Sequence, residues 1–458
     1  MSPSARKKLL IAVGGVVGLV IVAALVVPSL IDVNTYKPMI VAEVKKATGR
    51  DLVIDGSISL SILPTPRVSL SGVTFANVAG AKNPHMVEIK SVSVKPSVLA
   101  LLGGNVEVSE VTLVEPKIVL EINAEGKPNW EFAPSVAEAK PAAPKPSSPK
   151  PLSLGRMTLE DGTLIFSDSK TGLSVVAEKA NFTASVGSLD GPYSLAGGAT
   201  LNGAPLKLDL SVSGKGTDGY AAEMALEAGG GKLGFKGTLS ELGPDARAGG
   251  VATVSAESLT GFVGTLLALA GQPAPALPPL LAGKFSFDGS VDISQTAFAA
   301  KDFKMSLGSD SGSGSLSVKL KPALAVDGKL VVPKLDLDKW LAALSQPAAS
   351  PTAGKAAAPA APAAASGGSM LASVTAKVAL EVGEVIYNKA AIRNVALELD
   401  ARGGAVAVPK LAATLPGDMV LQAKSTMSGD PAKPTVSGEF SLVGPKLRDT
   451  LQWLAVDV

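Results

Sequence analysis

The side chains that could do chemistry are few and poorly placed for it. The 458-residue chain holds one histidine, His85, and no cysteine. A Ser-His-Asp triad therefore has one candidate base, a multi-histidine metal site has one ligand, and thiolate chemistry has none. Ser309-Asp310-Ser311-Gly312 has the residue types of a serine-protease segment. It sits in a Gly/Ser run between strand signals, which reads as a hairpin turn. Asp161 and Asp168 flank a strand and could share a metal, but aspartate in a turn normally serves turn geometry. Gly214-Lys215-Gly216 and Gly229-Gly230-Gly231 lack the strand–loop–helix setting of a phosphate cradle. No catalytic, metal-binding or cofactor-binding residue is assigned, no cofactor is expected, and an enzyme is not expected. The formal net charge is only +2, with no basic face interleaved with aromatics, so nucleic acid is not an expected partner.

What the chain does hold is an apolar stripe. In the stretch 52–63, Leu52, Ile54, Ile58, Leu60 and Ile62 recur at every second position, broken only by Gly56. Asp55, Ser57, Ser59 and Ser61 lie between them. A strand sends alternate side chains to opposite faces, so this is a strand with one apolar and one polar side. The pattern returns at Ile118, Leu120 and Ile122, at Leu206, Leu208 and Leu210, and in many other segments. Apolar residues make up 46% of the chain but aromatics only 4%, so the stripe is built of Ala, Val, Leu and Ile. In a sandwich it would be buried against a second sheet. Small and branched aliphatics would equally suit a face that holds acyl chains. Composition leaves the two readings even.

The elements that must position this stripe can be taken in order. Arg6, Lys7 and Lys8 precede an uncharged run over 9–27 that includes Leu9, Leu10, Ile11, Val16, Val17, Leu19, Val20, Ile21, Leu25 and Val27. As a helix it is about 28 Å long, the thickness of a bilayer core. Basic residues before it predict a cytoplasmic N-terminus with the bulk of the chain across the membrane. The competing reading is a cleaved signal peptide with Val22-Ala23-Ala24 at its end, for which the run is long. A helix is predicted over about 35–48, capped by Asn34 and stopped by Gly49. Its Lys37, Lys45 and Lys46 either lie on an anionic lipid surface or form a solvated face.

Composition then divides the chain. Residues 1–31 form the tip and anchor, 32–136 a first β body with the membrane-proximal helix, and 137–151 a Pro/Ala/Lys linker. A middle β body follows over 152–345, an Ala/Pro/Ser low-complexity stretch over 346–369, and a last β body with a terminal helix over 370–458. Short helices are expected after Ser258 and after Asp336 or Asp338. With 48 glycines and 33 prolines marking turns, the fold class is mainly β, an antiparallel meander with few short helices and one N-terminal transmembrane helix.

Several stretches resemble the AsmA family of bacterial envelope proteins. They are Tyr36-Lys37-Pro38, Thr48-Gly49-Arg50, Gly56-Ser57-Ile58-Ser59-Leu60-Ser61, Pro64-Thr65-Pro66 and Val73-Thr74-Phe75-Ala76-Asn77. Gly126-Lys127-Pro128-Asn129-Trp130 is similar to the family's G-x-x-N-W element. Leu159-Glu160-Asp161-Gly162-Thr163-Leu164 and the tail from Gly444 to Leu454 also resemble it. The resemblance implies an inner-membrane anchor, a periplasmic body, and strands forming an elongated half-open groove with an apolar surface, similar to chorein-type lipid-transfer proteins. It implies passage of phospholipid toward the outer membrane, with membrane lipids as partners and the residues named above as lining. The alternative it carries is a non-catalytic scaffold for outer-membrane protein or lipopolysaccharide biogenesis, with proteins of that process as partners.

Overall fold

The computed structural model describes residues 33–62, 65–97, 100, 107–132, 154–188, 191–243, 245–269, 272, 277–344, 374–430 and 433–455. The predicted anchor over 9–27 and the stretches 137–151 and 346–369 lie outside them. Among the described residues no helix is long and apolar enough to cross a membrane. The chain divides into two units, Met1–Gly214 and Lys215–Val458. The composition breaks at 137–151 and 346–369 fall inside these units.

The first unit is one open sheet. It contains β1 (Leu52–Ile54), β2 (Ile58–Ser61), β3 (Arg67–Ala76), β4 (His85–Pro96), β5 (Val108–Ile122), β6 (Leu154–Asp168), β7 (Ser174–Val186), β8 (Tyr193–Leu201) and β9 (Ala204–Val212). Both β1 and β2 pair with β3, and each later strand pairs with the next. The stretch expected as a single strand is thus two. The break falls at Gly56, whose backbone N–H reaches Ser71 O at 3.1 Å. A Cβ there would lie 2.1 Å from Ser71 Oγ, so only glycine allows this close approach.

A 3-10 turn (Val33–Tyr36) leads into α1 (Lys37–Thr48). The predicted helix is there, and Gly49 ends it in the left-handed conformation at φ 71°. Asn34 is not its cap, however. The helix starts at Lys37 with Tyr36 at the cap position, and Asn34 Oδ1 instead accepts from Ile58 N at 2.9 Å. The half-buried side of α1 is Lys37, Ile40, Val41, Val44 and Thr48, at helical spacing, and it packs toward β1.

The second unit is a sheet of β10 (Tyr220–Ala228), β11 (Gly231–Leu239), β12 (Ala248–Ala256), β13 (Phe285–Ile293), β14 (Ala297–Leu307), β15 (Asp310–Lys319), β16 (Ala325–Asp336), β17 (Thr375–Tyr387), β18 (Ala390–Arg402), β19 (Ala405–Leu415), β20 (Met419–Asp430) and β21 (Lys433–Val443). Its α-helices among the described residues are α2 (Leu259–Leu269), α3 (Leu337–Leu344) and α4 (Leu447–Trp453), with a 3-10 turn at Pro279–Ala282. Ser258 Oγ accepts from Gly261 N at 3.2 Å and Asp336 Oδ1 from Lys339 N at 3.1 Å, so each caps its helix as the sequence suggests.

The expectation of a wholly antiparallel meander is corrected in two places. β5 pairs with β6, and β16 with β17, in parallel. Parallel neighbours need a connection of a dozen residues or more to bring the chain back to its starting rim. The two Ala/Pro-rich stretches fall within these two connections, and the sheets are mixed.

One rim of each unit is sealed. In the second, Leu337 packs against Val332, Val382 and Val385, and Trp453 against Ala413, Leu415 and Met419. In the first, the loop after β5 does this. Trp130 meets Phe166 in a tilted contact at 6.3 Å and Phe132 meets Phe75 edge-on at 5.9 Å, with the Arg50 guanidinium 4.8 Å over Phe132. Asn129, only 3% exposed, holds that loop. Its Nδ2 donates to Val119 O at 2.8 Å and Asn77 Oδ1 at 3.0 Å, and its Oδ1 accepts from Glu121 N at 3.0 Å. Replacing Asn129 by alanine strands these buried groups. The expected loss is about 3 kcal/mol, read as a lower urea midpoint, against a change within about 0.5 kcal/mol for Lys127→Ala on the exposed part of the loop.

Candidate functional site: the apolar face

Register decides which side chains meet. In the first unit, Leu60, Val68, Val94, Val111, Met157, Ala184, Leu195 and Leu210 are consecutive partners across β2 to β9. Two residues along each strand runs a second lane: Ile58, Leu70, Val92, Leu113, Leu159, Phe182, Gly197 and Leu208. Directly opposed residues share a face, so these lanes form one apolar surface. Seven strand spacings make it about 34 Å long. The position between the lanes, on the other face, reads Ser59, Ser69, Ser93, Thr112, Thr158, Thr183, Ala196 and Asp209.

The lanes are not a closed core. Ile58 is buried at 6% exposure, beside the 3-10 turn Val33–Tyr36, whereas Met157 is 36% exposed and the rest are intermediate. Among the described residues the strands touch chiefly their neighbours, and all of them belong to one sheet. The second unit has its own such lane. Phe303, Gly314, Leu330, Leu380, Leu397, Leu411, Ala423 and Phe440 are partners in succession from β14 to β21. Phe303 is buried there, within a cluster with Ala252, Val291 and Ala300, while Phe440 is 79% exposed.

Beyond the two lanes the apolar positions shift by one residue. β5 carries Val111 and Leu113, then Pro116, Ile118 and Leu120; β6 carries Leu159, then Gly162, Leu164 and Phe166. Left-handed residues stand at each slip: Glu115 at φ 47°, Asp161 at φ 51° and, on β7, Lys179 at φ 51°. A Cβ on Gly162 would lie 2.5 Å from Leu159 Cδ2 and 3.3 Å from Pro116 Cγ. Positions three apart therefore share a face, and the bulge keeps the apolar residues together.

The residues singled out in the sequence fall as follows. Leu52 and Ile54 oppose Phe75 and Val73, and Ile54 is buried near α1. Ile58 and Leu60 begin the two lanes, and Ile62 lies just past β2. Ile118 opposes Val87 and Leu164, Leu120 opposes Phe166, and Ile122 opposes Asp168 at the sealed rim. Leu206, Leu208 and Leu210 oppose Ala199, Gly197 and Leu195. The lane partners Val94, Val111, Met157 and Ala184 were not singled out; their alternation was visible, but their register was not.

The chemical candidates lie elsewhere and apart. Asp161 and Asp168 are seven residues apart on one strand, about 23 Å, too far to share an ion. Asp168 bonds Thr171 Oγ1 at 2.8 Å and Lys170 N at 2.8 Å, and the Thr171 hydroxyl is the main cause of its lowered pKa. His85 Nδ1 lies 2.8 Å from Glu88 Oε1. Asp310 accepts the Trp340 Nε1 proton at 3.1 Å. Among the described residues no group of three or more His, Asp or Glu could hold a metal.

The polar face is held by ion pairs. Lys95 Nζ lies 2.6 Å from Glu110 Oε1, with both side chains about a quarter exposed. The Lys95 hydrogen bond outweighs burial and holds the Glu110 carboxyl below its ordinary value. A depressed carboxylate stabilises the fold above its unfolded pKa, and that contribution disappears as pH falls through the folded value. Lys95→Met should therefore lower stability by about 1 kcal/mol at pH 7, and the gap from the unmodified chain should close on the acid side of the ordinary glutamate range. Urea titrations of both proteins at pH 7 and pH 3 check this.

With this geometry established, comparison with known proteins adds one finding. The model of the AsmA family matches residues 3–260, more than half of the chain. No curated protein and no solved structure matches.

Proposed function

The chain belongs to the AsmA family, and we propose that its apolar face holds the acyl chains of membrane lipid and lets them slide. In this reading residues 9–27 anchor the protein in the inner membrane and the bulk stands in the periplasm. The lanes line a half-open groove along which phospholipid passes toward the outer membrane. The observation that carries the reading is the pair of apolar lanes across β2 to β9, aliphatic throughout except for Phe182, Met157 and Gly197, half-buried apart from buried Ile58 and exposed Met157, in a sheet with no partner sheet among the described residues.

The physics asks little more. Each CH2 moved from a bilayer into water costs about 0.8 kcal/mol, so a two-tailed lipid leaves only onto a surface that replaces that contact. A lane of similar aliphatic residues offers such contact without a deep trap. Transfer breaks and makes no covalent bond, so in this reading the protein is not an enzyme and uses no cofactor. Ser59, Ser69, Thr112 and Thr158 on the opposite face would meet water.

Leu208→Arg tests the reading. Leu208 is half-buried and faces Gly197, which leaves room for the long arginine side chain to carry its head to solvent, so the expected stability loss is about 1 kcal/mol. Native mass spectrometry of the full-length chain, released from membranes in mild detergent, should show bound phospholipid at a fixed stoichiometry. Leu208→Arg should lose most of it with an unchanged circular dichroism spectrum, while Lys207→Ala on the other face should keep it. A full-length chain that carries no lipid and takes up none when supplied would sink the proposal.

A further inference from the structure

The two ends of the strand succession are treated differently. In the first unit β1 and β2 are short, separated by Gly56, and faced by α1. Their edge groups are occupied: Lys37 Nζ donates to Gly56 O and to Ile54 O, and Ile58 N donates to Asn34 Oδ1. That is how a protein protects a sheet edge. In the second unit β21 shows the reverse. It runs eleven residues, about 36 Å, with no register shift against β20. Among the described residues no strand pairs with its outer side. The chain beyond it turns back over the sheet: Thr450 Oγ1 donates to Pro416 O and Trp453 Nε1 to Tyr387 O. Val436 and Phe440 on β21 are 65% and 79% exposed. Its central charge, Glu439, is neutralised by Lys424 of the neighbouring strand.

From this contrast we propose that β21 pairs antiparallel with β21 of a second copy of this chain. The sequence Thr435-Val436-Ser437-Gly438-Glu439-Phe440-Ser441 is a palindrome in polarity about Gly438. A two-fold contact requires this, since each residue meets its mirror position in the other copy. Centred on Gly438, Val436 faces Phe440, Thr435 faces Ser441, and Ser437 faces Glu439. Both apolar contacts fall on the face that Ala423 and Leu411 already share with Phe440. No Glu439 directly opposes its own copy. The pairing rests on edge geometry and not on what the apolar face carries.

The absence of cysteine makes the test clean. Full-length chain with Val436→Cys is co-expressed with full-length chain with Phe440→Cys, and the membranes are oxidised. A disulfide-linked heterodimer is expected, at least tenfold more abundant than from Thr435→Cys with Phe440→Cys, whose side chains leave opposite faces. In detergent, the cysteine-free chain should sediment as a dimer. The double variant Val436→Lys/Phe440→Lys should sediment as a monomer with an unchanged circular dichroism spectrum, since both positions are largely exposed. A monomer at every concentration without heterodimer would overturn the proposal. So would equal linkage from the two cysteine pairs, or capture of either cysteine by a different protein, which would assign the edge to another partner.

Discussion

Strand register is the constraint on which everything else here depends. A sheet with one apolar face works only if every strand presents the same parity to its neighbour, because a slip of one residue moves a whole set of side chains to the other side. Leu113 opposite Leu159, and Leu159 opposite Phe182, keep that parity from β5 to β7. The left-handed residues Glu115, Asp161 and Lys179 then shift the pattern on adjoining strands at about the same level. A bulge on one strand alone would have split the face in two. Repeated on neighbours, it lets strands of up to fifteen residues bend without losing it.

The same constraint makes the edges matter. A single-layer sheet exposes its outermost backbone groups, and each unpaired N–H or C=O is an opportunity for another strand. Lys37 and Asn34 sit in the short 3-10 turn and first helical turn before β1, and they close that edge with side chains rather than with a strand. α1 starts at Lys37 without a side-chain cap. The cap position itself is Tyr36, which has no short acceptor to offer, and Asn34, two residues earlier, bonds the sheet.

Much of this was legible in the sequence. Strands from Leu52 to Val443 could be read from alternation, and the helices after Ser258 and Asp336 from their caps, because these are local effects. Three things were not. The parallel pairings of β5 with β6 and β16 with β17 depend on where the chain returns, which composition signals only as an Ala/Pro-rich break. The division of the stretch 52–63 into β1 and β2 depends on Gly56 meeting Ser71 across the sheet. The role of Asn129 depends on Val119, Glu121 and Asn77 converging on one amide, and no spacing rule announces that. Of the candidate apolar face, the strands could be named in advance, but the lanes could not, since a lane is a set of registers.

Stability and surface chemistry are then divided between regions of the same sheet. Well-buried side chains cluster where loops and helices close a rim, at Asn129 in the first unit and at Val382, Met419 and Thr450 in the second, and in one patch of the second sheet around Ala252, Val291, Ala300 and Phe303. Elsewhere between the rims the backbone ladder holds the strands, and most of the apolar lane side chains are only half-buried. A residue there contributes less to the fold than a core residue would, since the hydrophobic gain scales with the area removed from water. The uncovered part of that area remains available to whatever binds, and any ligand that covers it in the folded state alone must also stabilise the fold. Aliphatic lanes such as Leu195–Leu210 and Leu380–Leu397 suit that arrangement. Leu380 also packs against the cluster of Val332, Val382 and Val385, and the area such residues leave uncovered is what an apolar ligand would bury.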